Sequence, residues 1–299
     1  MLVATLRKEL RNEFDETLTQ YDLAELARMP LVTLQKIEQG RQKNLSREMV
    51  LNLANALNLT SRAKVVFFQA SLGIKDDEFI KNTISSRETL GELAYTLLQL
   101  QTPAFVADAF GDIVFTNLAA PVMYRISENQ LTNPQLLSQY NINRILFSPE
   151  FENQRAMLGE NMHDFSRRMI LLYKMMTLKS RNHWCFQRLL PELNRYSLFR
   201  EHWQSPNFHN EDVFNMYNVF PIKHPQLGYL KYLLTVHQTL TACGDLYVYN
   251  FLPMDAHTAD VCRRVMKRVG TSVVPLSSWP KPNAPEKSLS SPNSLGRAL

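Results

Sequence analysis

Apolar positions recur at helical spacing through the first quarter of the chain. Leu2, Leu6, Leu10 and Phe14 form one stripe spaced four apart, which predicts a first helix. Thr19 can cap a second helix and Asp22 can reach back to complete a capping box, with Leu23, Ala24, Leu26 and Ala27 as its buried face. A third helix is predicted over Leu31 to Gln39. Pro30 stands at its first helical position, Leu34 and Ile37 face inward, and Gly40 ends it in a left-handed conformation. Ser46 caps a fourth helix that buries Val50, Leu53, Ala54 and Leu57, and a fifth runs from Ser61 to Leu72. Only Arg28-Met29-Pro30 separates the second helix from the third, and Ala24 and Ala27 allow close approach. The third helix is thereby presented as a rod of ~10–12 Å diameter, which fits the ~12 Å major groove of B-DNA.

Further along, the period changes. Thr102–Asp108 and Ile113–Asn117 alternate as strands around the turn Ala109–Asp112, and Asn117 caps a helix through Ala119, Ala120 and Met123. Helices dominate from Pro134 to Trp203. Strands return at Val213–Ile222, Gly228–Gln238 and Asp245–Leu252, and a last helix covers Ala256 to Val269. Strands flanking a helical middle predict an α+β domain, an antiparallel sheet with helices on one face.

These patterns divide the chain into residues 1–73, a polar linker 74–86, a second domain 87–269, and a tail 270–299. The tail is expected to be disordered, since 5 of the 15 prolines lie in 275–299 among many serines. The chain has 299 residues, 45% hydrophobic, with a net charge of +5, enough apolar sequence for two cores and a lean toward an anionic partner. Cys185, Cys243 and Cys262 never pair as C-x-x-C, so neither a disulfide framework nor a Cys-rich zinc site is expected. No glycine-rich phosphate loop and no H-E-x-x-H is present. No cofactor, metal or catalytic residue is expected, and the charged N-terminus and lack of a long apolar run predict a cytoplasmic protein away from membranes.

Leu18-Thr-Gln-Tyr-Asp-Leu-Ala-Glu-Leu-Ala27 followed by Thr33-Leu-Gln-Lys-Ile-Glu-Gln-Gly-Arg41 resembles the Xre/Cro-type helix-turn-helix of bacterial and phage repressors. The sequence departs from that pattern twice, with Arg28 at the usual turn glycine and Pro30 at the usual capping serine. The resemblance implies a double-stranded DNA operator as partner. It implies that Gln20 clamps a phosphate and braces the reading helix. It places Leu31, Val32, Thr33, Gln35 and Lys36 toward base edges, and Arg41, Lys43 and Asn44 against the backbone. Apolar Leu31 and Val32 suit thymine methyl groups. The charge agrees: Lys36, Arg41, Lys43, Arg47, Arg62 and Lys64 stand against Glu38 and Glu48.

The hairpin ending at Asn117 resembles the opening of a PAS domain. Asn141-Ile-Asn-Arg-Ile-Leu-Phe147, Leu193 with Ser197–Trp203, His224-Pro-Gln-Leu-Gly228 and Leu246–Pro253 fit one longer pattern. Together these resemble the PAS-like ligand-binding domain of MmyB-like transcription regulators. That resemblance implies ligand-responsive transcription control by a homodimer, with a small apolar, fatty-acid-like ligand. Candidate ligand-contacting residues are Phe105, Phe115, Met123, Met169, Tyr173, Met176, Phe199, Trp203 and His224. The methionines at 157, 162, 169, 175 and 176 suit an adaptable pocket wall or an ordinary core. His224 suits a ligand head group or a structural turn. A ligand carboxylate would find a cation among Arg167, Arg168, Lys174, Lys179, Arg181, Arg188, Arg195 and Arg200, and the sequence does not select one. A ligand-free dimerisation or partner platform stays open as the alternative.

Overall fold

The computed structural model describes residues 2–12, 14–42, 44–59, 61–71, 85–133, 140–205, 218–241 and 243–281. Lys43, most of the expected linker and residues 282–299 lie outside these. Five helices form the N-terminal unit: α1 (Leu2–Glu9), α2 (Gln20–Leu26), α3 (Leu31–Glu38), α4 (Arg47–Ala56) and α5 (Ser61–Ser71). They close over a core in which Leu23, Leu34 and Leu53 are fully buried. The capping box of α2 forms, with Asp22 N–H donating to Thr19 Oγ1 at 3.1 Å and Thr19 N–H to Asp22 Oδ2 at 2.8 Å. Pro30 falls one residue earlier than expected, at the N-cap of α3, where its carbonyl accepts from Thr33 and Leu34.

Helices α2 and α3 end in the same way. Arg28 N–H bonds Glu25 O and Met29 N–H bonds Ala24 O; Gly40 N–H bonds Ile37 O and Arg41 N–H bonds Lys36 O. Both are Schellman closures, which require a left-handed residue. Gly40 meets that requirement without strain at φ 70°, whereas Arg28 must adopt φ 52° with a side chain. Relieving it by Arg28→Gly is expected to stabilise the helical unit by ~1 kcal/mol. Urea unfolding followed by circular dichroism checks this, and an unchanged midpoint would mean that Arg28 is not strained.

The C-terminal domain begins with α6 (Ser86–Gln99), then β1 (Ala104–Asp108), β2 (Ile113–Asn117), α7 (Ala119–Met123), α8 (Glu128–Thr132), α9 (Ile142–Phe147), α10 (Glu152–Arg155), α11 (Met162–Met176), α12 (Trp184–Leu193) and α13 (Ser197–Gln204). Strands β3 (Asn218–His224), β4 (Gly228–Thr239) and β5 (Leu246–Pro253), helix α14 (Ala256–Val269) and strand β6 (Val273–Pro275) complete it. The sheet runs β3-β4-β5-β1-β2-β6, antiparallel throughout, so the fold is α+β. Every residue of β1 is buried because both faces are covered. Phe105, Tyr249 and Phe251 point into the main core, which includes Ile145, Met169 and Val265 from α9, α11 and α14. Val106, Val248 and Phe115 point the other way, beneath Leu93 and Leu97 of α6 and Trp279.

The expected disordered tail is corrected over its first part. Val273–Pro275 pairs with β2, Trp279 is buried, and Lys281 Nζ sits 3.0 Å from Asp108 Oδ2 and 2.7 Å from Asp112 Oδ2. Proline-rich composition hides this segment, because an edge strand tolerates the missing N–H of Pro275. The two units also touch: Leu178 packs into the N-terminal core, and Thr5 Oγ1 donates to Asn182 Oδ1 at 3.2 Å.

Candidate nucleic-acid interface and ligand cavity

Helix α3 buries Leu34 and Ile37 and turns its other side outward. Val32 is 60% exposed, and Lys36, Arg41 and Asn44 are exposed with it. Thr33 and Gln35 are half-buried. Leu31, expected to be exposed, is half-buried and packs partly against the core, since the first turn of α3 leans on its neighbours. Nothing among the described residues covers the outer flank around Val32 and Lys36.

Gln20 is held from below. Its Nε2 donates to Glu38 Oε2 at 2.6 Å, and its Oε1 accepts from Gln35 Nε2 at 3.5 Å. Glu38 in turn receives Arg7 Nε at 2.8 Å and Nη2 at 3.3 Å, while Arg7 Nη1 donates to Leu18 O at 2.6 Å. Burial pushes the Glu38 carboxyl up, but the bonds from Arg7 and Gln20 outweigh it and hold the carboxyl below its ordinary range. The chain Arg7–Glu38–Gln20–Gln35 thus fixes the amide of Gln20 at the start of α2 against the middle of α3. Arg7 and Glu38 were absent from the sequence-based candidates; an arginine in the first helix and an acid ending the third are ordinary surface residues by pattern alone.

The second site lies in the main core, between the sheet and the helices α7 to α11. A cavity of about 50 Å³ opens there. Of the nine candidates, Phe105, Met123 and Met169 line it. Phe115 does not, because β-register pairs it with Val106, whose side chain faces α6. Tyr173, Met176 and Phe199 are core residues: Met176 Sδ accepts from Tyr249 OH at 3.5 Å, and Phe199 stacks on Trp203. Trp203 borders a different cavity, at the junction of the two units. His224 is structural. Its Nδ1 accepts from the N–H groups of Gln226 and Leu227, both at 3.1 Å, so Nε2 carries the proton and donates to Val122 O at 3.2 Å. Burial lowers its pKa, which keeps it neutral.

The cavity wall also uses Phe165, Ile222, Leu234 and Tyr249. Their alternation within strands and helical period were visible in the sequence, but their convergence depends on the sheet order. Besides the tyrosines Tyr124 and Tyr249, its polar residues are Gln154 and Arg155, outside the basic run considered from sequence. Gln154 Oε1 is buried and accepts no hydrogen bond among the described residues. Arg155 donates through Nη1 to Ser148 O, and burial lowers its pKa. The 50 Å³ exceeds the ~10–15 Å³ needed for one water and is far below the ~300–1,000 Å³ of ordinary small-molecule pockets. Met123, Met157 and Met169 in the wall are the side chains best able to enlarge it.

Among the described residues, no helix is long and apolar enough to cross a membrane. No curated protein matches the chain. Family models match two parts of the chain: a helix-turn-helix over residues 8–63, and the MmyB-like transcription regulator ligand binding domain over residues 92–265. The α2–α3 pair with its open flank fits the first, and the cavity under the sheet falls within the second. The chain therefore belongs to the MmyB-like transcription regulators, a DNA-binding head joined to a ligand-sensing domain.

Proposed function

We propose that the protein binds a double-stranded DNA operator as a homodimer, reading base edges with α3, and that a small apolar, fatty-acid-like ligand in the cavity under the sheet shifts the spacing of the two heads. The observation that carries the reading is the open flank of α3, where Val32 and Lys36 stand clear of the core beside Arg41 and Asn44. In this reading Val32 meets thymine methyls, Lys36 meets a base edge, and Arg41, Lys43 and Asn44 hold the phosphates. Two heads ~34–36 Å apart meet successive major grooves. A ligand changes that spacing only through its difference in affinity for the two arrangements.

A fatty-acid chain enters the cavity by displacing Met123, Met157 and Met169, with its carboxylate on Arg155 and Gln154. Native mass spectrometry of protein purified from cells is expected to show an adduct of lipid size, lost in an Arg155→Met variant. A clean mass would instead support a ligand-free dimerisation or partner platform, the reading that the small free volume of about 50 Å³ favours.

A further inference from the structure

A larger cavity, about 390 Å³, lies at the junction between the head and the sensing domain. At its base is Arg181, whose side chain is only 2% exposed. The guanidinium lies against two rings, 4.7 Å from the centroid of Phe186 and 4.8 Å from that of Trp203. Ring faces attract the cation without supplying a charged acceptor. Nη2 donates to Lys174 O at 3.1 Å. Nε and Nη1 are buried and have no hydrogen-bond partner among the described residues. Nη1 lies 3.1 Å from Glu9 Oε1, at the end of α1, as an ion pair without hydrogen-bond geometry, and that oxygen is also without a hydrogen bond.

Of the charged residues lining the cavity, Arg11, Lys174 and Arg181 are basic and Glu9 is acidic. Lys174 borders the same cavity, with Nζ 5.3 Å from the centroid of Trp203. Burial, then the charge of Arg181, pulls its pKa down to about 8, so near neutrality it is still mostly an ammonium. Glu9 supplies a single carboxylate, which burial makes reluctant to ionise. Arg11, also at the rim, is engaged by Thr17 and by Lys8 O. The remaining wall is largely apolar and includes Leu57, Leu171 and Met175. Buried donors that lack acceptors are costly, and a carboxylate oxygen is the charged acceptor that forms the strong bond with an arginine N–H.

We propose that this junction cavity binds a small amphipathic monocarboxylate, its carboxylate on Arg181 and Lys174 and its apolar body against Leu57, Leu171 and Met175. The volume suits a compact ligand, since ordinary small-molecule pockets hold ~300–1,000 Å³. A single carboxylate is proposed because the rest of the wall is largely apolar. The ligand and Glu9 compete for one guanidinium. Glu9 belongs to the head and Arg181 to the sensing domain, so occupancy replaces an ion pair that ties the two together. This site is separate from the cavity under the sheet and does not depend on it.

Calorimetric titration of the full-length protein with 4-phenylbutyrate, and with 4-phenylbutyramide as the uncharged control, tests the assignment. The carboxylate is expected to bind about tenfold or more tighter than the amide, as a charge-assisted contact requires. Glu9→Gln removes the competitor and is expected to tighten binding severalfold; Lys174→Met is expected to weaken it about tenfold. Both positions lie beside the cavity, so the test stands even if an Arg181 variant fails to fold. Absent binding, equal binding of acid and amide, or a carboxylate affinity indifferent to both variants overturns the proposal. Neither Glu9 nor Lys174 borders the cavity under the sheet, so an indifferent affinity would leave the reading of that cavity untouched.

Discussion

Replacing Glu38 with alanine is expected to destabilise the head by ~3–5 kcal/mol, the usual cost of removing one member of a buried ion pair. The change strands Arg7, whose side chain is 11% exposed and has two of its N–H groups on the Glu38 carboxylate. It also frees Gln20, whose amide Glu38 holds at 2.6 Å. The carboxyl is held below its ordinary range, so the contribution is present near neutrality and fades as acid protonates it. The three tryptophans, Trp184, Trp203 and Trp279, all lie in the sensing domain, so their fluorescence does not report this loss. Hydrogen exchange of the α2 and α3 amides does. Amide protection unchanged in Glu38→Ala would show that the Arg7–Glu38 pair contributes nothing net. Glu38→Gln, which can still accept from Arg7 and Gln20, is expected to cost less.

Lys281→Met is expected to destabilise the sensing domain by ~3 kcal/mol, again because a buried charge loses its partner. Lys281 is the cation between Asp108 and Asp112, and Asp108 is 3% exposed. Asp108 Oδ1 also receives the N–H groups of Phe110 and Asp112, so the same carboxylate shapes the turn between β1 and β2. Burial, and then the charge of Asp112, lifts the Asp108 pKa from 3.8 to about 6 despite Lys281. The folded protein therefore keeps this proton after the unfolded chain has lost it. This contribution to stability falls as pH rises from about 4 to 6. Without Lys281 the folded carboxyl holds its proton to still higher pH, and the fall continues beyond 6. The gap between wild type and Lys281→Met is thus expected to widen between pH 4 and 7, in urea unfolding followed by tryptophan fluorescence. A second change, Asp108→Asn, is expected to narrow it. A gap independent of pH would mean that Lys281 acts by packing alone.

The head was legible in sequence because its information is local. Spacings of three and four, the Thr19–Asp22 box and Gly40 each act within one helix or turn. Arg28 at the usual turn glycine already marked the strained position, whereas the Arg7–Glu38–Gln20 chain was not legible, since it depends on where the helix ends meet. In the sensing domain, alternation located the strands β1, β2, β4 and β5, and the part of β3 over residues 218–222; the rest of that expected strand, 213–217, lies outside the described residues. Alternation did not reveal which face each residue takes: Phe115 pairs with Val106 and so faces α6, away from the cavity. The cavity residues come from segments more than a hundred positions apart, from Phe105 to Phe251, and only the order β3-β4-β5-β1-β2-β6 brings them together. The ordered stretch after Gly270 was hidden by its composition, although Trp279 and Lys281 within it stand out against a serine- and proline-rich background.

Selection of binding sites from a random duplex library, with wild type and Lys36→Ala in parallel, tests the central claim most directly. The wild type is expected to enrich two related half-sites about one helical turn apart. Lys36→Ala is expected to lose preference at a single base pair in each half-site, by ~1–3 kcal/mol. No enrichment by the wild type, or identical preferences in the two proteins, would contradict a head that reads DNA with the exposed flank of α3.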